Sequence, residues 1–297
     1  MQKDSSFSEP KMNRLVLFVL FWMGGLLIFL LGGNTFQVFP TNKNALYEWT
    51  LTLCLLALVV ILLRSKRWQK YWRIAYALFV AAFANALNLF LGNWLKYYLP
   101  APGNEMQALA IDKLSQAIPI VLAIILLTRL VGDDLGSIFL QRGNLRQGLK
   151  FGFISFGVFT VIFIVIAILQ SSAPASQGMT ASGVSLDTIV AAIPWVLVFV
   201  FANGFMEELW FRGLFLKKLS PFLGATAAVL VTALVFGTTH AVATYITPAE
   251  QIIFPIIVFV LALVNGFVML KTDSIWGSVL FHAGYDLLVI IPVLVSQ

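Results

Sequence analysis

Six acidic, basic or imidazole side chains fall within three short strings of the chain's last third. NGFMEELWFRG holds Glu207, Glu208 and Arg212, FGTTH ends in His240, and HAGYD opens on His282 and closes on Asp286. On a helix Glu208 and Arg212 stand at i and i+4 with the acid N-terminal, the favourable order for an ion pair. Glu207 points about 100° away from its neighbour and has no such partner. The same i, i+4 spacing puts His282 and Asp286 on one helix face, and Phe236 one turn before His240. His240 and His282 are the only histidines in the sequence. This inventory suits the activation of water. A carboxylate in a low-dielectric pocket acts as general base or acid. A neutral imidazole shares the water, and a second histidine or another donor stabilises an oxyanion. Two histidines and one glutamate, here Glu207, His240 and His282, are equally a catalytic zinc set with an open position. Serine and cysteine chemistry fit less well. No G-x-S-x-G or H-E-x-x-H string occurs, and Cys54, the single cysteine, lies far upstream in an apolar run.

The elements that must position these groups are set by composition. The 297 residues are 60% hydrophobic and 11% charged, whereas a soluble chain is roughly a quarter charged. The apolar runs are continuous over about 18–22 residues rather than alternating, which excludes a barrel and predicts a polytopic all-α membrane bundle. The runs fall near residues 15–31, 49–63, 74–91, 114–127, 148–169, 188–209, 222–239, 252–270 and 276–295, giving eight or nine transmembrane helices. The fourth is the ambiguous one. Asp112 and Lys113 lie near its start and Pro119 is expected to interrupt it, leaving part of it interfacial. Residues 1–14 read as a polar tail, 15–169 as N-terminal transmembrane helices, 170–186 as an external linker rich in Ser, Ala and Gly, and 187–297 as the unit that carries the chemistry. Before the linker the spans are nearly free of ionisable groups, apart from Asp112 and Lys113. Within the last unit, Ser220, Pro221 and Gly224 predict the turn of a helical hairpin that brings Glu207 level with His240. Asn203, one turn before Glu207, is a candidate hydrogen-bond donor to it.

The formal net charge is +6, but its distribution argues against nucleic acid. The basic residues fall in short segments between spans, at residues 64–73 and 129–150, at Lys217 and Lys218, and at Lys271. Short basic loops stay cytoplasmic. The N-terminus is therefore expected inside and the C-terminus outside, in a plasma (inner) membrane. The expected partners are the lipid bilayer and a peptide or protein substrate, with no nucleic acid.

The three strings together resemble the CPBP family of intramembrane proteases, which includes the CAAX prenyl endopeptidases and bacterial bacteriocin-processing or immunity-related proteins of Abi type. That family is marked by E-E-x-x-x-R, F-x-x-x-H and H-x-x-x-N or D on successive membrane helices. Here these are Glu207 to Arg212, Phe236 to His240 and His282 to Asp286, within roughly residues 188–290. The resemblance implies a CAAX-protease-like core in which Glu207 and His240 activate water. Glu208, Arg212 and Phe236 support the helix, and His282 and Asp286 bind the oxyanion or complete a metal site. The CAAX-processing branch typically has Asn where this chain has Asp286, and an ionised Asp cannot donate a hydrogen bond. No cofactor is favoured, although the family is often called a metalloprotease family and a zinc on Glu207, His240 and His282 is the alternative. Two other functions remain open: a non-enzymatic scaffold or bacteriocin self-immunity protein of the same fold, and a proton-coupled transporter using the buried acids and histidines.

Overall fold

The computed structural model describes residues 10–33, 41–171, 186–241 and 250–295, and over these the chain is all α. Helix α1, Lys11–Gly25, widens into a π-helical turn, Leu26–Leu31. It is followed by α2 (Thr41–Arg64), α3 (Trp72–Leu91), α4 (Glu105–Leu130) and α5 (Leu145–Ser171). The last unit holds α6 (Leu186–Glu207), a π-helical segment Glu208–Gly213, the short α7 (Leu216–Leu223), α8 (Ala225–His240), α9 (Glu250–Thr272) and α10 (Trp276–Val295). Among the described residues seven helical segments are long and apolar enough to cross a membrane, and two shorter apolar ones, Ala225–His240 and Trp276–Ile290, accompany them. The chain is an integral multi-pass membrane protein. The two short segments are the ones that carry the histidines. Helix α8 has 16 residues and is thus about 24 Å long, less than the ~30 Å hydrocarbon thickness. A helix of that length starting at one surface ends, at His240, still at membrane depth.

The ambiguous fourth run is a single helix. Pro119 lies inside α4 and is buried there, without ending it. Proline lacks the N–H that would bond the carbonyl four residues back, which here belongs to Ser115. The Trp94 indole Nε1 donates to that carbonyl at 3.1 Å, so the freed group stays satisfied and the helix runs on. The charges at its start are also placed. Asp112 pairs with Lys96 at 2.9 Å, and Lys113 donates to Gln116 at 2.8 Å.

The N-terminal spans are not as free of charge as the sequence pattern suggests. Helix α2 begins at Thr41, well before the apolar run at residue 49, and buries Glu48 completely. The Glu48 carboxylate lies so close to Gly32 that any side chain there would collide with it. Helix α3 is the central strut. Ala77, Ala81, Ala82 and Ala84 are fully buried on it, and small side chains let neighbouring membrane helices approach closely. The Trp210 indole donates to the Ala81 carbonyl at 3.2 Å, which ties α3 to the π segment.

Helix α10 is seated by glycine. A side chain on Gly277 would overlap the Gly148 backbone, and one on Gly152 would stand 2.6 Å from the Gly277 carbonyl. Gly148 and Gly152, four residues apart on α5, thus form the small-residue stripe against which α10 crosses. The residues predicted for the linker, and those of the N-terminal tail, lie outside the described residues for 172–185 and 1–9.

The basic segments gather at one end of the bundle. Arg73 pairs with Asp133 at 3.1 Å. Lys217 donates to the Gly136 carbonyl at 2.6 Å and pairs with Asp273. Gln141 donates to the Asp273 carbonyl at 3.0 Å. These links join the start of α3, the α4–α5 connection, α7 and the α9–α10 turn.

Candidate active site

The two adjacent acids stand where α6 gives way to a π turn. The Leu214 N–H bonds the Leu209 carbonyl at 2.9 Å, five residues back. Such π insertions widen the turn and recur at functional sites. The chain then breaks at Leu214 and Phe215 before α7. Lys217 and Lys218 therefore sit on a separate helix rather than on a straight extension of the sixth span. Gly224, at φ 83°, makes the turn into α8, close to where Ser220, Pro221 and Gly224 predict it.

The environments of the two acids differ sharply. Glu208 is fully buried, and its Oε1 accepts three hydrogen bonds: from Arg212 Nη1 at 2.8 Å, Asn265 Nδ2 at 2.8 Å and His282 Nδ1 at 2.6 Å. The Glu208–Arg212 pair is thus formed as its spacing predicts, and it does more than close on itself, because it also grips the α10 histidine. Glu207 has a side chain 14% exposed and accepts no hydrogen bond among the described residues; its Oε2 stands 3.5 Å from His282 Nε2.

His282 is held between the acids. Its Nδ1–H donates to Glu208, which directs Nε2 towards Glu207 and, at 3.6 Å, towards Asp286 Oδ1. Asp286 in turn accepts from Asn203 Nδ2 at 2.8 Å. The sequence expectation that Asn203 serves Glu207 is corrected here: the shared helix face is real, but the amide reaches across to α10. The crossing is close enough for that because residue 204 is glycine. A Cβ there would meet Ala283 N at 3.2 Å, Val279 O at 3.3 Å and His282 Cβ at 3.4 Å.

His240 sits at the end of α8, and its Nδ1 lies 2.8 Å from the Phe236 carbonyl. A carbonyl only accepts, so Nδ1 carries the proton and Nε2 is the nitrogen left for other work. No hydrogen bond joins His240 to Glu207 among the described residues. The common neighbour of the histidines is Phe236, whose ring centroid is 4.3 Å from that of His240 and 5.9 Å from that of His282. The Arg212 guanidinium Cζ lies 3.9 Å from the same centroid, a cation–π contact that helps hold a desolvated charge.

Asn265 is the residue that sequence reasoning missed. It is completely buried on α9, donates to Glu208, and accepts through its backbone carbonyl from Ser278 Oγ at 3.0 Å. The available signal was a side-chain amide in the middle of the apolar run 252–270, costly in lipid unless bonded.

Glu207, His240 and His282 do not stand as a shared ligand set. Among the described residues no three His, Cys, Asp or Glu side chains are placed to hold one ion. His282 has already committed Nδ1 to Glu208.

The fold and site define a helical membrane protein in which buried Glu208, Arg212 and His282 adjoin the partly buried Glu207. Residues 189–288, about a third of the chain, match the family described as Type II CAAX prenyl endopeptidase Rce1-like. The matched span is the one over which the three motifs run. No curated protein and no solved structure matches the chain.

Proposed function

We propose that the chain is an intramembrane endopeptidase whose catalytic core is residues 187–297 and whose base is Glu207. The observation that carries this reading is the division between the two acids around one imidazole. Glu208 holds His282 Nδ1 from the buried side, and Glu207 faces Nε2 from the less buried side. In this reaction Glu207 takes a proton from a water whose oxygen attacks the scissile carbonyl. His240 Nε2 accepts the second hydrogen bond of that water. The oxyanion of the tetrahedral intermediate accepts from His282 Nε2–H, with Glu208 and Asp286 supporting the imidazolium. Glu207 then returns its proton to the leaving amine, and the C–N bond breaks. Asn203 holds Asp286 in place for this role. The substrate is a peptide or protein segment that enters from the bilayer or its cytoplasmic side. Mass spectrometry of membrane peptides that accumulate when Glu207→Gln replaces the wild-type chain, followed by their cleavage with purified protein, tests this. A chain that cleaves none of the accumulating peptides would instead be a scaffold.

The reaction needs no metal in this scheme, because a zinc on Glu207 would leave no unpaired carboxylate as base. Purified protein is expected to hold well under one equivalent of zinc and to keep its activity in a strong chelator. Stoichiometric zinc that leaves together with activity, and restores it on return, would sink the metal-free scheme.

The orientation follows from the basic loops: N-terminus cytoplasmic, C-terminus external. A reporter fused before Met1 should read as cytoplasmic and one after Gln297 as external. Both reading on the same side would overturn the arrangement.

A further inference from the structure

The basic end of the bundle encloses a half-open cavity of about 320 Å³, lined among others by Lys70, Arg73, Lys217, Lys218, Asp133 and Phe222. That volume is at the lower end of the range for small-ligand sites, about 300–1,000 Å³. Four cations and one carboxylate surround it. Basic residues at a membrane boundary need no ligand when their charges reach water, as the long stems of Lys and Arg usually allow. Three of the four are accounted for in ordinary ways. Arg73 is exposed and pairs with Asp133. Lys217 is bound by Asp273 and the Gly136 carbonyl and lies over the Phe139 ring. Lys70 lies 4.9 Å over the Tyr71 ring. Lys218 differs. Its Nζ is buried and has no hydrogen-bond partner among the described residues, and the one carboxylate of the cavity is taken by Arg73. A buried ammonium with no hydrogen-bond acceptor is costly, and Asp133, the acid that acts on it through space, is already bonded to Arg73.

We propose that this cavity binds a phosphate group, with Lys218 as the buried anchor and Arg73 and Lys70 at the rim. A lysine is a compact three-donor point charge suited to phosphate. Pro221 and Phe222 add an apolar wall that suits the glycerol end of a phospholipid. The phosphate is either the headgroup of an anionic lipid, abundant in the cytoplasmic leaflet, or a free phosphate. The site is separate from the Glu207–His282 cluster and does not depend on the protease reading.

The test uses full-length protein in nanodiscs and measures thermal midpoint and bound lipid by native mass spectrometry. Discs of phosphatidylcholine alone, the same discs with inorganic phosphate, and discs containing phosphatidylglycerol are compared for wild type, Lys218→Met and Lys217→Gln. Wild type should be stabilised by phosphatidylglycerol, or by inorganic phosphate if the free ion is the ligand. Lys218→Met should bind that ligand at least about tenfold more weakly. In plain phosphatidylcholine its midpoint should equal or exceed that of wild type, because an unpaired buried charge has been removed. Lys217→Gln should weaken binding less, its ammonium being already engaged. Equal effects of the two substitutions would mean a diffuse basic surface and overturn the site. So would a wild type that neither ligand stabilises, or a Lys218→Met that retains full binding.

Discussion

Glu207→Gln should lower the rate of peptide cleavage by about 10²–10⁴-fold, the usual contribution of a positioned general base, while the amount of folded protein changes little. The reason is the position of the side chain. Among the described residues Glu207 bonds no donor that would be stranded by the change, and Gln has nearly the same shape. The amide cannot take a proton from water, so the chemistry goes while the packing stays. Single-turnover cleavage in proteoliposomes checks the rate, and size-exclusion profiles together with thermal midpoints check the fold. An active Glu207→Gln would end its candidacy as base and leave Glu208 and Asp286 as the acids beside His282.

Glu208→Gln should behave differently, losing about 3–5 kcal/mol of stability and activity together. The carboxylate is wholly buried and is the shared acceptor of Arg212, Asn265 and His282. Without its charge the Arg212 guanidinium remains at membrane depth with no carboxylate bonded to it, and the Nδ1–H of His282 loses its ionic acceptor. A double replacement, Glu208→Met with Arg212→Met, separates the two losses. Removing both charges should restore much of the stability, as replacing a buried ion pair by apolar side chains of similar volume often does. Activity should not return, because His282 stays unanchored. Reversible unfolding in mixed micelles, read beside cleavage, measures both. A fully stable Glu208→Gln beside an unfolded Glu207→Gln would reverse the two roles.

The contrast between these acids shows what reached the surface of the sequence and what did not. That the chain is a helical membrane bundle, that its basic segments collect at one end and that three motifs fall in its last helices was legible directly. So was the Glu208–Arg212 pair. Each of these depends on local quantities: the length of apolar runs, the placement of Lys and Arg, and the i, i+4 repeat of a helix. The partners of Asp286 and Glu208 across the helices were not legible. Asn203 turned to Asp286 instead of Glu207, and Asn265 reached Glu208 from a span that carried no motif. Pro119 failed to break α4 because an indole from another segment satisfied the freed carbonyl. The reason is physical. A helix in lipid is apolar all round, so its hydropathy carries no face that tells which side meets which neighbour. Rotation and depth are decided by small-residue crossings such as Gly204 of α6 against α10, and Gly148 and Gly152 against Gly277. Only once those crossings are made does one imidazole come to lie between two neighbouring glutamates, one spent on structure and one left facing the open side.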